Sequence, residues 1–363
     1  MITEKVEIEE RLSKINACIA HALPANPSEK WLHAVFSTHA TLSGARALLD
    51  PCRELLNRGG KRWRPLLAHL VCESLGGGEK VLPLVPLLEL CHNASLIHDD
   101  IEDNSAERRG KPAVHLLYGA DTAINSGSFL YILPLISIDS LEASASFKLK
   151  LYSLWASTMR RLHLGQSFDI DWHKKTDFIP SFDDYYLMCS LKTGVLARFA
   201  TELGALSCSV DDDACPIHSD FVETLGTAAE KFGAGFQILD DVRNLSTGIS
   251  GKERGDDLVE GKMSLPVLLF LHKERGQLAF VQQCFTAARK GGVSAPEVDK
   301  LIDTLRSAGA LEESEKKARV LLEEAQCDFR DLPPLPLSLD KKAAEQACAA
   351  RRLLADFTKM GAI

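Results

Sequence analysis

The sequence predicts an all-α fold, and three observations lead to that prediction. Apolar residues recur at three- and four-residue spacing along most of the chain, as at Leu301, Leu305 and 311–321, which is the period of an amphipathic helix. Capping signals precede several of these segments. Alternating apolar and polar runs, which indicate half-buried strands, are scarce. We therefore expect helices almost throughout. Glycine- or proline-rich connections are predicted at 76–78, 290–292 and 332–337.

Helix starts can be located from residues whose side chains accept hydrogen bonds from the free N–H groups of a first turn. Proline at the first helical position and an acidic residue three positions after the cap strengthen the signal. The predicted starts are Asn26 before Pro27 and Glu29, Ser181 before Asp184, Ser294 before Glu297, and Ser338 before the last helix, which contains 341–354.

The chain is long for a single domain. Its 363 residues would suggest two domains on the usual prior of about 150 residues each. However, no linker and no repeat of about 20–50 residues divides the sequence. Apolar residues make up 45% of the chain, enough for a sizeable core, and the formal net charge is −8. An acidic chain is a poor candidate for binding nucleic acid or an anionic membrane. We predict one large domain over 1–363, with no nucleic-acid partner.

Cysteine usage and the start of the chain indicate the compartment. The 10 cysteines include no CxxC pair, so a zinc knuckle or a thioredoxin-type motif is not supported. The polar, acidic segment 1–15 does not resemble a signal peptide. No apolar run approaches the roughly 18 residues of a spanning helix. We expect a cytoplasmic protein with reduced thiols and no transmembrane segment.

Two acidic clusters carry the main functional signal, and each follows an apolar stretch. In the first, Asp99 and Asp103 stand four residues apart and would share one helix face; in the second, Asp240 and Asn244 have the same spacing. Carboxylates on one face repel unless a cation neutralises them, and Mg²⁺ is commonly held by carboxylates together with phosphate oxygens. A solvated acidic surface is the alternative. The clusters predict one shared metal site, with candidate ligands Asp99, Asp100, Asp103, Asp240 and Asp241.

Basic residues gather in segments that suit an anionic ligand. Residues 59–65 read Gly-Gly-Lys-Arg-Trp-Arg-Pro, and residues 108–111 read Arg-Arg-Gly-Lys. Glycine permits close approach of the backbone to an anion, and the arginine fork matches phosphate oxygens. Lys192, Lys252 and Lys262 are further candidates. For any one of these cations, a surface position or a salt-bridge network is the alternative interpretation.

These motifs together resemble those of the trans-type isoprenyl diphosphate synthases, in family order over about 57–270. The resemblance rests on GGKRWRP at 59–65, DDIED at 99–103, Arg108–Gly110, Gly165-Gln166 with Asp169, KTG at 192–194, FQ and DD within 236–241, and GDDLVEGK at 255–262. Within the family, HNASL at 92–96 before DDIEDNS, INS at 124–126 and Asn244 are similar to eukaryote-type geranylgeranyl diphosphate synthases. The resemblance implies a single helical bundle of the type I isoprenoid synthase fold around a central apolar cavity, with peripheral terminal helices.

The resemblance also implies a reaction and the residues that perform it. A Mg²⁺-dependent, chain-elongating prenyltransferase would condense isopentenyl diphosphate with an allylic diphosphate (dimethylallyl, geranyl or farnesyl) to give geranylgeranyl diphosphate. The five aspartates would hold three Mg²⁺ ions, and the released pyrophosphate would take the final proton. A homodimer is implied as well. The isopentenyl diphosphate site would comprise Gly60, Lys61, Arg64, His92 and Arg109. The allylic diphosphate site would comprise Arg108, Lys192, Thr193, Gln237, Lys252 and Lys262, of which Lys192, Thr193 and Gln237 would also be catalytic.

Product length is predicted from helix geometry below the first acidic cluster. Ser95 lies one turn, about 5.4 Å, from Asp99 on the same face, and Ala94 borders it. Farnesyl-forming members of the family often carry bulky aromatics at these two positions, so the small residues predict products longer than farnesyl diphosphate. Deeper residues that could stop the tail are Phe129, Tyr131 and Ile132; the alternative is that they are core residues.

Three other functions compete with a geranylgeranyl diphosphate synthase. A farnesyl or longer-chain synthase would share every motif. A terpene cyclase ionises one diphosphate and needs no second-substrate site, so Lys61, Arg64 and Arg109 count against it. An inactive regulatory subunit would not need both aspartate motifs, Lys192 and Gln237, all of which this chain has.

Overall fold

A computed structural model describes residues 2–175, 178–210, 219–248, 253–337 and 339–357. Among these residues the regular secondary structure consists of helices and one antiparallel two-stranded hairpin, so the predicted all-α class is confirmed. Lys252 and Ser338 lie outside the described residues. The sequence predicts a diphosphate contact for the first and a helix cap for the second.

The secondary structure follows the chain in a simple order. The helices are α1 (Ile2–Ala22), α2 (Glu29–Phe36), α3 (Leu42–Asn57), α4 (Trp63–Ser74), α5 (Val85–Glu102), α6 (Val114–Tyr118), α7 (Ala120–Ile132), α8 (Ile136–Asp139), α9 (Ala145–Lys174), α10 (Phe182–Cys189), α11 (Val195–Ser207), α12 (Ser219–Ser246), α13 (Asp256–Glu260), α14 (Leu265–Lys273), α15 (Leu278–Gly291), α16 (Pro296–Ser307), α17 (Ala310–Arg330) and α18 (Lys341–Ala355). A π-helical turn, Ser190–Gly194, joins α10 to α11. The hairpin strands are β1 (Glu107–Arg108) and β2 (Lys111–Pro112).

Two of the predicted helix starts show how a cap is chosen. Ser181 and Asp184 form the predicted capping box, in which each side chain accepts from the other residue's backbone N–H. The helix predicted from Asn26 begins later, because Ser28 is the cap and its hydroxyl accepts from Trp31 N at 3.2 Å. The prediction of Asn26 as the cap is therefore wrong by two residues.

The other two starts also differ from expectation. Helix α16 begins after Ala295, which offers no side-chain acceptor, so the prediction of Ser294 as its cap is wrong. Pro296 at the first helical position lacks the N–H that a cap would satisfy. Asp340 caps the last helix, and its carboxylate accepts from Ala343 N at 2.8 Å.

The chain divides into two compact units. Unit 1 comprises 1–157, 198–226 and 328–360. Helix α5 lies in its interior and packs against α1, α3, α4 and α7. Its first half is buried on all sides, as expected of a helix that is apolar all round. The acidic cluster lies at the other end of this anchored helix, so the core of unit 1 holds it in place.

Unit 2 comprises 158–197, 227–327 and 361–363. Its core includes all of 265–271, the apolar run of helix α14. Helices α13, α15 and α16 pack together in this unit, and Trp172 and Tyr185 join the same core. The second acidic cluster lies in this unit, on α12. The single domain over 1–363 stays a prediction.

Two compositional expectations can be compared with the structure. No helix among the described residues is long and apolar enough to cross a membrane. The cysteines in the described part of the chain are free thiols, and most of them are buried. Burial raises the pKa of the Cys52 thiol to about 12, so such a thiol stays protonated and unreactive at neutral pH.

Candidate active site

The glycine pair after α3 makes a turn that residues with a side chain rarely adopt. Gly59 has a φ of 80° and Gly60 a φ of 145°, and Arg62 follows with a φ of 50°. A Cβ added to Gly60 would lie 3.0 Å from Arg109 Nη2. The missing side chain therefore lets the guanidinium of Arg109 lie directly against the backbone of the turn. Lys61 is exposed on this turn.

Arginine side chains surround a histidine next to this turn. Arg64 Nη1 lies 3.2 Å from His92 Nε2, and the Arg64 guanidinium stacks over the ring of Trp63 at 4.2 Å from its centroid. Burial, with the charges of Arg64 and Arg109, holds the pKa of His92 well below its usual range. The histidine is therefore neutral at neutral pH and leaves the arginine charges undiminished. Positive charge concentrated at a poorly hydrated position favours an anionic ligand.

Not every cation of the glycine-rich motif belongs to this cluster. Arg62 Nη1 donates to Glu89 Oε1 at 2.5 Å, and Asn93 Nδ2 donates to the same oxygen at 2.8 Å. All three side chains are buried. Arg62 therefore fixes the start of α4 to α5, whereas Arg64 lies against His92 and Trp63 and Lys61 is exposed. The spacing of the motif alone does not separate these roles.

The arginine motif lies on the β1–β2 hairpin. Arg108 Nε donates to Asp100 Oδ1 at 2.7 Å, and Arg108 Nη2 lies 3.4 Å from Asp99 Oδ2. Burial raises the pKa of Asp100 against the opposing effect of Arg108. Arg109, at a φ of 54°, donates through Nη1 to the carbonyl oxygen of Gly59. The hairpin thus directs one arginine to the acidic cluster and the next to the glycine turn.

The first acidic cluster keeps its predicted helical spacing. Asp103 N donates to Asp99 O at 2.8 Å, so the two aspartates remain one helical turn apart although α5 ends at Glu102. The buried Oδ2 of Asp100 accepts no hydrogen bond. Among the described residues, no three His, Cys, Asp or Glu side chains could hold a metal ion by themselves. Carboxylates one helical turn apart are a donor set that suits Mg²⁺, which is commonly held by one or two carboxylates together with substrate phosphates.

Lys192 of unit 2 lies in the π-helical turn, a type of local widening that is frequent at functional sites. Three glycines let other backbones approach this turn. A Cβ added to Gly165 would lie 2.5 Å from Lys192 N, and one added to Gly194 would lie 2.6 Å from Glu230 O. One added to Gly233 would lie 2.5 Å from Gly194 Cα. Side chains at these glycines would push the turn out of place.

Lys192 is paired with a carboxylate from α9. Its Nζ donates to Asp169 Oδ2, and His173 Nε2 lies 3.1 Å from Asp169 Oδ1. Burial alone would raise the pKa of Asp169, but Lys192 and His173 hold it well below its usual range. Asp169 is therefore an anion that holds the side chain of Lys192 in place.

Thr193 and Gln237 are joined in one chain of hydrogen bonds. The Thr193 hydroxyl donates to Gln237 Oε1 at 2.7 Å, and Gln237 Nε2 donates to Asp241 Oδ1 at 3.0 Å. The fully buried Tyr185 donates to the other carboxylate oxygen of Asp241 at 2.6 Å. Burial and the neighbouring Asp257 raise the pKa of Asp241 to about 7. Because Asp241 accepts from the Gln237 amide nitrogen, the amide oxygen is turned toward Thr193.

The rest of the second acidic cluster divides between an accessible and a structural residue. Asp240 has a side chain 29% exposed and lies 3.7 Å from Arg243 Nη1. Asn244 is fully buried; its Oδ1 accepts from Asp257 N at 3.2 Å, and its Nδ2 donates to Glu253 O at 3.5 Å. Asn244 therefore fastens the start of α13, and Asp240 is the residue of this motif best placed for a ligand.

Lys262 lies in a local ion-pair network. Its Nζ lies 3.6 Å from Asp257 Oδ1 and also pairs with Glu260. These carboxylates hold the ammonium beside α13. The predicted contact of Lys262 with the allylic diphosphate stays a prediction.

The residues predicted to control product length occupy different environments in unit 1. Ala94 is fully buried, whereas Ser95 is half-buried and donates to His92 O at 2.8 Å. Ser95, not Ala94, therefore has its side chain on the partly accessible face of α5.

The α7 residues also differ from one another. Phe129 stacks on Phe36 with ring centroids 5.7 Å apart, and Tyr131 stacks on His98 at 5.6 Å. Ile132 is 59% exposed, so it does not lie in the core of unit 1 as its alternative interpretation required. A role for these three residues in product length stays a prediction.

Comparison with known proteins decides the family. The profile of the family described as polyprenyl synthetase matches residues 45–303. The chain belongs to the polyprenyl synthetase family. A geranylgeranyl diphosphate synthase of Methanosarcina mazei is 31% identical over 339 residues, covering 92% of this chain and 94% of the relative. A geranylgeranyl pyrophosphate synthase of Apiospora sacchari, a fungus, is 32% identical over 291 residues, covering 79% and 81%.

A solved structure agrees with this assignment. The geranylgeranyl pyrophosphate synthetase of Pyrococcus horikoshii has a TM-score of 0.77 and 25% identity to this polyprenyl synthetase, with 98% of each chain covered. The family and the prenyltransferase class predicted from the motifs are therefore confirmed. Sequence reasoning missed Tyr185, which lies on α10 seven residues before Lys192 and belongs to none of the motifs.

Proposed function

We propose that this polyprenyl synthetase family member condenses isopentenyl diphosphate with an allylic diphosphate to give geranylgeranyl diphosphate. The observation that carries the proposal is the pairing, in unit 1, of an arginine cluster around neutral His92 with a separate acidic cluster on α5. The first suits a diphosphate bound directly by cations. The second suits a diphosphate bound through Mg²⁺. A one-diphosphate enzyme such as a cyclase would need only the second.

Isopentenyl diphosphate is bound by the arginine cluster in this proposal. Arg64 and Arg109 supply forked N–H donors. The ring of His92 is neutral, so it adds no charge that would repel the two guanidinium groups. The exposed Lys61 adds a flexible ammonium. Gly60 keeps Arg109 against the turn. This substrate does not ionise, so it needs only a stable anion site that leaves its double bond free to react.

The allylic diphosphate loses its pyrophosphate when the allylic carbon–oxygen bond breaks, so its binding site must supply more positive charge. Mg²⁺ bound with it would neutralise the charge that develops on the departing pyrophosphate. Asp99, Asp103 and Asp240 are the proposed ligands. Asp100 follows Asp99 in the chain and is already engaged by Arg108; Asp241 follows Asp240 and is already engaged by Tyr185 and Gln237. Arg108 and Lys192 donate to the pyrophosphate oxygens, with Lys252 and Lys262 as further proposed contacts. The proposed number of ions is three.

In this proposal, oxygen dipoles stabilise the allylic cation. Because Thr193 donates its hydroxyl proton to Gln237, the lone pairs of its oxygen stay available to the allylic cation. The Lys192 carbonyl adds another dipole in this proposal. The cation is attacked by the double bond of isopentenyl diphosphate, a carbon–carbon bond forms, and the adjacent carbon loses a proton to the released pyrophosphate. No described side chain is assigned as the base.

A longer-chain synthase is the second candidate, and one observation favours it. Ile132 is one of the three residues predicted to stop the prenyl tail, but its side chain is 59% exposed and is not packed in the core of unit 1. Small residues at Ala94 and Ser95 are compatible with either product. The names of the two sequence relatives support geranylgeranyl diphosphate as the first choice.

The test is a product assay. Purified protein is incubated with Mg²⁺, isopentenyl diphosphate and each labelled allylic primer, and the product is separated by chain length. Accumulation of geranylgeranyl diphosphate supports the proposal. A longer prenyl diphosphate favours the second candidate, a cyclic hydrocarbon from one primer indicates a cyclase, and no turnover indicates an inactive subunit.

We also propose that the protein acts as a homodimer in the cytoplasm. Sedimentation equilibrium of the purified chain tests the first point, because a single species of monomer mass would contradict it. Fractionation of the source cells, followed by immunodetection, tests the second.

A further inference from the structure

Arg58 is the C-terminal cap of helix α3, and its side chain is buried. Its side chain is 1% exposed although it follows the last helical residue, and the glycine turn begins immediately after it. Its Nε donates to Glu54 Oε1 at 3.2 Å on the same helix. A buried guanidinium offers five N–H donors in a rigid fork, and each needs an acceptor. Arg58 finds its remaining acceptors in a segment about fifty residues further along the chain.

These acceptors are backbone oxygens of the arginine hairpin. Arg58 Nη1 donates to Arg108 O at 2.8 Å and to Lys111 O at 3.3 Å, and Nη2 donates to Pro112 O at 2.9 Å. The fork therefore contacts both strands of the hairpin. Each strand has only two residues, and so small a hairpin is not stable by itself in water. Its position must come from contacts outside it, and Arg58 supplies three.

The hairpin makes the return contact. Arg109 donates to the carbonyl oxygens of Gly59 and Leu55, at the end of the helix that carries Arg58. Arg109 also has a φ of 54°, a conformation that costs free energy and persists only where the surroundings impose it. Arg58 therefore donates from the end of α3 to the hairpin, and Arg109 donates from the hairpin to the end of α3.

We infer that Arg58 is a positioning residue for diphosphate binding in this enzyme. It holds Arg108 and Arg109 in the conformation that presents their guanidinium groups, and its own N–H groups are directed at carbonyl oxygens instead of a ligand. This inference rests on the proposed function, because it assumes that Arg108 and Arg109 bind substrate diphosphates. Lysine cannot replace it, since one ammonium on a flexible stem cannot reach both strands with fixed geometry.

Two variants of Arg58 test the inference, and α3 offers a matched control. Arg58→Met removes all donors, and Arg58→Lys keeps the charge without the fork. Arg53 is a mostly buried arginine of α3, and its hydrogen bonds go to Ala25 O and to Asp50 instead of to the hairpin. Arg53→Met therefore reports what the loss of an anchoring arginine from this helix does on its own. Circular dichroism and thermal melting establish that each variant is folded.

Calorimetric titration with isopentenyl diphosphate, followed by steady-state kinetics, gives the readout. We expect Arg58→Met to bind isopentenyl diphosphate roughly 10- to 100-fold more weakly, the size of effect that follows when one hydrogen bond between an arginine and a charged ligand is lost. We expect KM for isopentenyl diphosphate to rise because Arg109 is displaced, and kcat to fall because Arg108 also contacts the departing pyrophosphate in the proposed function. Arg58→Lys should be intermediate, and Arg53→Met should bind as the wild type does.

The outcomes separate this inference from the proposed function. Wild-type affinity in Arg58→Met, or a loss no larger than in Arg53→Met, would overturn the role of Arg58. If Arg58→Met does not fold, Arg58→Lys decides, because unchanged affinity in that variant would contradict the need for a fork. A wild-type chain that does not bind isopentenyl diphosphate would instead contradict the proposed function.

Discussion

Removal of one hydroxyl from the core of unit 2 should slow the reaction without weakening isopentenyl diphosphate binding. The residue is Tyr185, whose hydroxyl donates to Asp241 Oδ2 at 2.6 Å. Tyr185→Phe keeps the ring in its packed position and deletes only this donor. Asp241 then keeps Gln237 as its other donor, at 3.0 Å, and is free to rotate about that contact. Gln237 in turn loses its fixed orientation toward Thr193.

The size of the effect can be derived from the contact. A hydrogen bond to a charged group contributes about 1.5–3 kcal/mol. The pKa of Asp241 is raised to about 7, so near neutral pH the carboxyl is ionised only part of the time and the lower end of that range applies. We expect the free energy of unfolding to fall by about 1.5 kcal/mol. If a similar amount is lost from the transition state, kcat falls about tenfold.

Urea denaturation and steady-state kinetics measure the two quantities on the same preparation. Tyr186→Phe is the control, because it deletes a hydroxyl from the neighbouring residue, which is 37% exposed. The KM for isopentenyl diphosphate should not change in Tyr185→Phe. A second loss from Gln237→Ala should be less than additive in the double variant, since both act through one chain. Wild-type kcat in a destabilised Tyr185→Phe enzyme would show that the hydroxyl only supports the fold.

Three more predictions concern unit 1. Ser95→Phe should shorten the product, read by chromatography, whereas Ala94→Phe should destabilise the fold by about 1–3 kcal/mol, because Ala94 is fully buried and cores resist overpacking; unchanged products in a folded Ser95→Phe enzyme would refute the channel argument. Gly60→Ala should raise the KM for isopentenyl diphosphate, because its Cβ would lie 3.0 Å from Arg109 Nη2 in a backbone conformation suited to glycine; an unchanged KM would contradict this. Burial lowers the pKa of His69 from 6.5 to about 4, so between these pH values the unfolded chain binds a proton that the folded chain does not. The free energy of unfolding should therefore fall by on the order of 3 kcal/mol as the pH drops from 6.5 to about 4. Urea titrations in which His69→Gln shows the same decline would refute the assignment.

The sequence reached those parts of the structure that depend on local spacing. Ser181 and Asp184 are three residues apart and form their box within one turn, so the pattern alone predicts it. Asp99 and Asp103 likewise keep one-turn spacing because helical geometry fixes it. The family was reached for the same reason, since its motifs are short and each lies within a few residues.

The sequence did not reach contacts whose partners are distant in the chain. Arg58 looks like an ordinary helix-end cation until the hairpin is placed beside it. The motif does not distinguish Arg62 from Arg64. In the structure Arg62 pairs with the buried carboxylate of Glu89, whereas Arg64 lies against His92. The π-helical turn at Lys192 was equally out of reach, because a shift in hydrogen-bond register leaves no mark on residue spacing.

Bare backbone at three glycines sets a limit on how this enzyme can be engineered. Around the π-helical turn, Gly165, Gly194 and Gly233 bring main chains so close that an added methyl group would lie about 2.5 Å from a neighbouring backbone atom. The position of Lys192 thus depends on the missing side chains of these glycines, and any substitution there would displace the turn. Randomisation aimed at new product lengths belongs on the side-chain-rich faces of α5 and α7, with these glycines held constant.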